Sequence, residues 1–241
     1  MKKLFSFWNK TFKRSAGQSE FDQRVKRLYE QKNYLDAYSE HTDIRVEIDP
    51  HMAIGGMWDK IGNLQFEFLV SSGLQPQHKM LDIGCGTLRG GRHFIRYLNS
   101  DNYYGLDISQ KAIEFGEQLI KKEGLFNKHP RLVLSQHKDL KFGEFEGEKF
   151  DFLLAQSVFT HLMPEHIEEC FQHIGRLMDQ NSVFFFTFNE FSKFKQTGLK
   201  DFCYPFSFLQ EIAKKYGFTL KNKSDEYPHP RGQKIVAATK N

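Results

Sequence analysis

Lys79-Met-Leu-Asp-Ile-Gly-Cys-Gly-Thr-Leu-Arg-Gly-Gly91 is the stretch from which the fold can be read. Met80 to Ile83 has the character of a short buried strand, Gly84 and Gly86 break it, and Arg92 to Leu98 resumes at helical spacing. A strand that turns through glycines into a helix gathers free backbone N–H groups and a helix N-terminus around one small cavity. Glycine suits the bend because it accepts positive φ and carries no Cβ to hold a ligand off the backbone. A nucleotide-like ligand is the expected occupant; a glycine turn with no ligand is the alternative.

A second apolar run, Asn102 to Leu106, ends in Asp107, 21 residues after Gly86. An acid about 20 residues beyond a glycine turn, at the tip of the adjacent parallel strand, is placed to accept the hydroxyls of a ribose. That spacing also fits dinucleotide enzymes, but their G-x-G-x-x-G needs glycine where this chain has Arg89. Asp82-x-Gly84-x-Gly86 instead resembles motif I of the class I S-adenosyl-L-methionine (SAM)-dependent methyltransferases, and Tyr104-Gly-Leu-Asp107 resembles their motif II. Leu88 departs from the fuller family pattern, which has a third glycine there.

The resemblance implies an α/β, Rossmann-like sheet of seven strands in the order 3-2-1-4-5-7-6, with strand 7 antiparallel and helices on both faces. It implies SAM as cofactor, with Asp82, Gly84, Gly86 and Arg89 around the amino-acid end and Asp107 at the ribose; Cys85 and Ile108 join them as cofactor-binding residues. After the third strand, Pro130 to Leu134, Asp139 is the best match to the family's adenine-facing residue and Gln136 the second. The fourth strand, Phe150 to Ala155, leads into Gln156-Ser-Val-Phe-Thr-His-Leu162, which resembles motif IV of the small-molecule branch and puts Gln156 and Ser157 beside the sulfonium. The likeness spans about residues 77 to 241.

Other segments carry weaker signals. Residues 1–17 form a basic arm in which Leu4, Phe5, Trp8 and Phe12 share one helical face opposite five basic residues. Such a segment suits peripheral membrane contact through residues 1–14, packing on its own domain, or disorder. Residues 18–76 are expected to be a helical cap, with a helix over Glu20 to Ser39, a loop over Ile44 to Gly56 and a helix over Met57 to Leu69. The corner Gly55-Gly56-Met57-Trp58 either closes over the cofactor's methionine end or simply starts that helix. Past the fourth strand, Pro164 starts a helix with His166 and His173 on its solvent side, Asp179 to Ser182 is a turn and Val183 to Phe188 a strand. Residues 191–205 form an aromatic-rich insert, and a helix and two strands close the chain.

Setting aside the five basic residues of the arm leaves 29 basic residues against 30 acids, a poor balance for gripping phosphates, so no nucleic-acid partner is expected. The base-holding Pro-Pro-aromatic box and the Pro-Cys nucleophile of DNA methyltransferases are both missing. Three widely spaced cysteines fit reduced thiols and a cytoplasmic chain with no metal centre. The expected acceptor is therefore a small molecule or glycan unit, methylated first of all at a hydroxyl oxygen. His161 is the candidate general base, or else it packs the turn before Pro164. Glu190 and Tyr204 are candidate acceptor contacts. A SAM-binding scaffold without turnover and a nicotinamide-dependent oxidoreductase are the competing function classes.

Overall fold

A computed structural model describes residues 16–241, so the basic arm at 1–14 lies outside the described residues. Seven strands form one sheet: β1 (Met80–Ile83), β2 (Tyr103–Asp107), β3 (Arg131–Leu134), β4 (Phe150–Ala155), β5 (Met178–Phe188), β8 (Phe218–Asn222) and β9 (Lys234–Lys240). Between β5 and β8 lies a small hairpin of β6 (Lys195–Gln196) and β7 (Phe202–Cys203). The sheet order is β3-β2-β1-β4-β5-β9-β8. Counted without the hairpin, this is the order expected from the sequence, and β9 runs antiparallel to both neighbours.

Side chains alternate across the sheet, as a strand period of two requires. Phe184 and Phe186 pack on one face with Ile167 and Phe171 of α7 (Pro164–Ile174) and Leu209 of α8 (Phe206–Lys215). Phe185 packs on the other with Phe68 of α4 (Trp58–Ser71), Phe94 of α5 (Gly91–Tyr97) and Ile113 of α6 (Gln110–Lys122). Many of the chain's phenylalanines are spent here: Phe159, Phe171, Phe184 and Phe186 interlock, with Phe159 and Phe186 stacked at 4.3 Å between ring centroids.

The N-terminal third differs from expectation. The single helix over Glu20 to Ser39 is two, α1 (Ala16–Gln31) and α2 (Tyr34–Ile48), because the Asn33 side chain caps α2 by accepting from the Asp36 N–H at 3.0 Å. The loop over Ile44 to Gly56 is instead the end of α2 followed by α3 (Pro50–Ala53), which Asp49 caps with proline at its first position. Two further corrections are smaller. The turn at Asp179 to Ser182 is a register irregularity inside β5, closed by the Asp179 N–H donating to Ser182 Oγ at 2.8 Å. His166, read as a solvent-side residue, is half-buried and stacks on Tyr34.

α2 is held against the β2–α6 corner by polar contacts. Ser39 Oγ donates to the Ile108 carbonyl at 2.7 Å, and Asp43 accepts from Ser109 Oγ at 2.6 Å and the Lys111 N–H at 3.1 Å. Phe186→Ala, which empties a fully buried site in the aromatic cluster, is expected to destabilise the chain by roughly 3–5 kcal/mol in urea unfolding.

Candidate functional site

All five parallel strands stop at the same rim. Gly84, Asp107, Ser135, Gln156 and Asn189, each the last residue of its strand or the next one, line a single cavity of about 490 Å³. The chain reverses direction across the sheet between β1 and β4, and ligands of open α/β sheets bind outside strand ends at such a switch point. The opposite wall is the face of α2 carrying Leu35, Tyr38, Thr42 and Arg45, which share one side of a helix.

The glycine bend forms one end of the floor. Gly84 and Gly86 have φ of +69° and +55°, and a Cβ on them would lie 2.5 Å from Val158 Cγ2 and 2.9 Å from Ile54 Cγ2. Asp107 points into this bend. One carboxylate oxygen accepts from the Gly86 N–H at 2.8 Å and the other from the Ser109 N–H at 2.8 Å. Burial raises the Asp107 pKa and those amides oppose the shift. Each oxygen keeps lone pairs for a further donor. Leu88, at the family's third glycine position, still holds the left-handed φ of +64° that glycine would adopt, and its side chain is fully buried.

Beyond the bend, Asp82 accepts from the Tyr103 hydroxyl at 2.9 Å, and burial raises its pKa to about 7. Arg89 Nη1 donates to the carbonyls of Ile54 and Gly56 at 2.9 and 3.0 Å, and Arg231 donates to that of Gly55. The Gly55-Gly56 corner is thus pinned to the cavity rim by two guanidinium groups. Cys85 packs beneath β2 against Gly105, and burial drives its thiol pKa well up, so it is a packing residue.

The loop after β4 is fixed from below. Ser157 has φ of +57°, its N–H donates to Thr187 Oγ1 at 2.7 Å, and its hydroxyl donates to Gln233 Oε1 at 2.9 Å. Gln156 Oε1 accepts from the Tyr227 hydroxyl at 2.8 Å, while its amide donates to Gln233 at 3.1 Å. At the loop's far end His161 Nδ1 lies 2.9 Å from the Lys200 carbonyl and 3.3 Å from Asp201 Oδ1. Burial lowers the His161 pKa, so the ring is neutral near pH 7. A carbonyl can only accept, so Nδ1 carries the proton and Nε2 keeps the free lone pair.

Residues 81–184 match the family model described as a methyltransferase domain. The fold likeness extends further. Magnesium protoporphyrin IX methyltransferase from Synechocystis PCC 6803, solved with bound SAM, is 19% identical, covers 94% of this chain and 92% of its own, and superposes with a TM-score of 0.59. A SAM-dependent methyltransferase from Leishmania major is 14% identical over 91% of each chain, with a TM-score of 0.65. Residues 81–184 thus resemble a methyltransferase domain, and the chain as a whole has the fold of these SAM-dependent methyltransferases. Among curated proteins, uncharacterized protein RP028 of Rickettsia prowazekii (strain Madrid E) is 24% identical over 111 residues. That match spans 46% of this chain and 42% of the relative.

The domain's cavity gathers most of the residues singled out from the sequence: Asp82, Gly84, Cys85, Gly86, Arg89, Asp107, Ile108, Asp139, Gln156, Ser157 and His161 all line it. Gln136 is exposed and stays outside. Glu190 and Tyr204 also stay outside and are corrected here: Glu190 is exposed, and Tyr204 is fully buried with its hydroxyl donating to the Leu162 carbonyl at 2.5 Å. Sequence reasoning missed the α2 wall, Lys200-Asp201, and Arg231 with Gln233. Asp201 lies beyond motif IV in sequence and meets His161 only through the β6–β7 hairpin, so no spacing could reveal it.

Two buried polar atoms of the cavity wall, Arg89 Nε and Ser135 Oγ, have no partner among the described residues. Together with the bare backbone of the bend and the spare lone pairs of Asp107, they fit a ligand with polar groups at both ends. The raised Asp82 pKa gives a pH prediction. The folded carboxyl holds its proton above the ordinary value of 3.8, up to about 7, so its contribution to stability is complete below 3.8 and lost as pH rises through 7. The thermal midpoint of ligand-free wild type is therefore expected to fall relative to that of Asp82→Asn as pH is raised from 4 to 8, followed by scanning calorimetry.

Proposed function

We propose that this protein transfers a methyl group from SAM to a small-molecule or glycan acceptor, at a hydroxyl oxygen. The observation that carries the cofactor assignment is the Asp107 carboxylate aimed at the Gly86 amide across a bend where any Cβ would clash. In this assignment Asp107 accepts from the ribose hydroxyls, Asp82 and Arg89 face the amino-acid end, and Gln156 and Ser157 border the sulfonium. Asp139 stands at the adenine end, where the unpartnered Ser135 hydroxyl is also buried. Bound SAM supplies an electrophilic methyl group, so the protein's work is alignment in a site closed to water.

A hydroxyl acceptor is a poor nucleophile until it loses its proton, and His161 fits the role of base. Its Nδ1–H is held by the Lys200 carbonyl and Asp201, which leaves Nε2 to receive the acceptor's proton. Asp201 is then a positioning residue for that ring. The acceptor is placed between α2 and the insert, where Tyr38, Arg45 and Lys200 line the cavity together with His161. The near-neutral body gives no electrostatic support for a nucleic-acid acceptor.

Asp107→Ala is expected to abolish SAM binding in isothermal titration calorimetry, and wild-type affinity in that variant would remove the cofactor assignment. In a screen of hydroxylated acceptors read by S-adenosylhomocysteine release, His161→Gln is expected to lower kcat by about 10²–10⁴-fold with SAM affinity kept. Undiminished turnover would contradict proton removal by His161.

A further inference from the structure

Among the described residues five cationic side chains line the cavity, and they are not equally satisfied. Lys138 is paired with Asp36 at 2.7 Å. Arg89 and Arg231 are occupied with the backbone carbonyls of residues 54–56 at the amino-acid end. Arg45 and Lys200 remain, on α2 and at the end of the insert, and neither has a carboxylate within 4.0 Å among the described residues. Arg45 Nη2 donates to the Met52 carbonyl at 2.9 Å, and the Lys200 ammonium sits 5.2 Å from the centre of the Tyr38 ring.

Bringing two unpaired cations together in a partly buried cavity is costly, because each loses water and repels the other. Burial first, and then the nearby Arg45 charge, push the Lys200 pKa down to about 8, and the neighbouring Asp201 carboxylate, already engaged with His161, offsets that only in part. An oxyanion between them removes both costs: guanidinium forks and ammonium groups are the standard partners of phosphate and carboxylate oxygens. SAM itself carries one carboxylate, which the proposed function places by Arg89 at the other end of the cavity. The second pair of cations is left for the other ligand.

We infer that the methyl acceptor is anionic, and that Arg45 and Lys200 grip its phosphate or carboxylate group beside His161. This rests on the assignment of the cavity to SAM and an acceptor. It makes Arg45 and Lys200 substrate-binding residues that set specificity: an acceptor with a hydroxyl at one end and an oxyanion at the other is bound between His161 and this pair. Neutral analogues of the same shape are rejected, because they leave the cations unpaired.

The test uses the full chain saturated with S-adenosylhomocysteine and two probes, inorganic phosphate and acetate, followed by equilibrium dialysis. Saturable binding of at least one probe is expected, and which one binds tells a phosphorylated acceptor from a carboxylated one. Arg45→Gln and Lys200→Met should each weaken that binding about tenfold or more, while S-adenosylhomocysteine affinity changes by less than about threefold. Equal probe affinity in both variants, no probe binding to wild type, or a parallel collapse of S-adenosylhomocysteine affinity would overturn the inference. Should Arg45→Gln fail to fold, because Arg45 also ties α2 to Met52, Lys200→Met carries the test alone. If the chain binds no S-adenosylhomocysteine, the cofactor assignment fails; the probe titration of the ligand-free chain then still reads the cation pair.

Discussion

A single buried carboxylate ties the architecture together. Asp107 closes β2 and spends its two oxygens on the Gly86 N–H of the neighbouring bend and the Ser109 N–H that opens α6. The first bond fixes the strand tip against the bend, and the second fixes the start of the helix. Ser109 in turn caps α6 through Ala112 and donates to Asp43, so the same corner anchors α2. The floor and the far wall of the cavity therefore share one hinge of hydrogen bonds. A buried carboxylate held by two backbone amides is stable only where its desolvation is offset by such bonds. That is why a β-strand tip flanked by a glycine bend and a helix N-terminus is the place to find it.

The sheet and its glycine bend were legible in the sequence because they rest on local rules. Met80 to Ile83 and Phe150 to Ala155 are short apolar runs bounded by turn residues, and each is a strand at the bounds expected. Gly84, Gly86 and Asp107 answer to fixed backbone demands and so have a fixed spacing. Leu88 shows the limit of such matching. The backbone keeps the left-handed turn, and a buried leucine, packed with Phe94 and Tyr103, takes the place of the absent glycine. Non-glycine residues in that region carry strain that surrounding packing must offset.

The acceptor side was not legible, and the reason is physical. α2 turns polar and charged residues toward the cavity (Tyr38, Thr42, Arg45), so its apolar periodicity fades just where its functional face begins. Read by hydrophobic pattern alone, that segment resembles a loop. Lys200 and Asp201 sit in an insert whose neighbours are exposed, and only the β6–β7 hairpin returns them to His161. Tyr204 misled for the opposite reason: an aromatic in a polar insert invites a ligand-stacking role, yet here it is a buried strut under Leu162. Residues that contact a variable acceptor obey no common spacing, whereas those that contact a shared cofactor do.

The central claim is that the bend and the Asp107 carboxylate hold the adenosine of SAM. It is tested most directly by a crystal structure of the complex with S-adenosylhomocysteine. The account predicts both ribose hydroxyl oxygens within about 2.5–3.2 Å of the Asp107 carboxylate oxygens, with the adenosine lying over Gly84 and Gly86. A complex in which the ribose sits elsewhere, with Asp107 bonded only to Gly86 and Ser109, would contradict it.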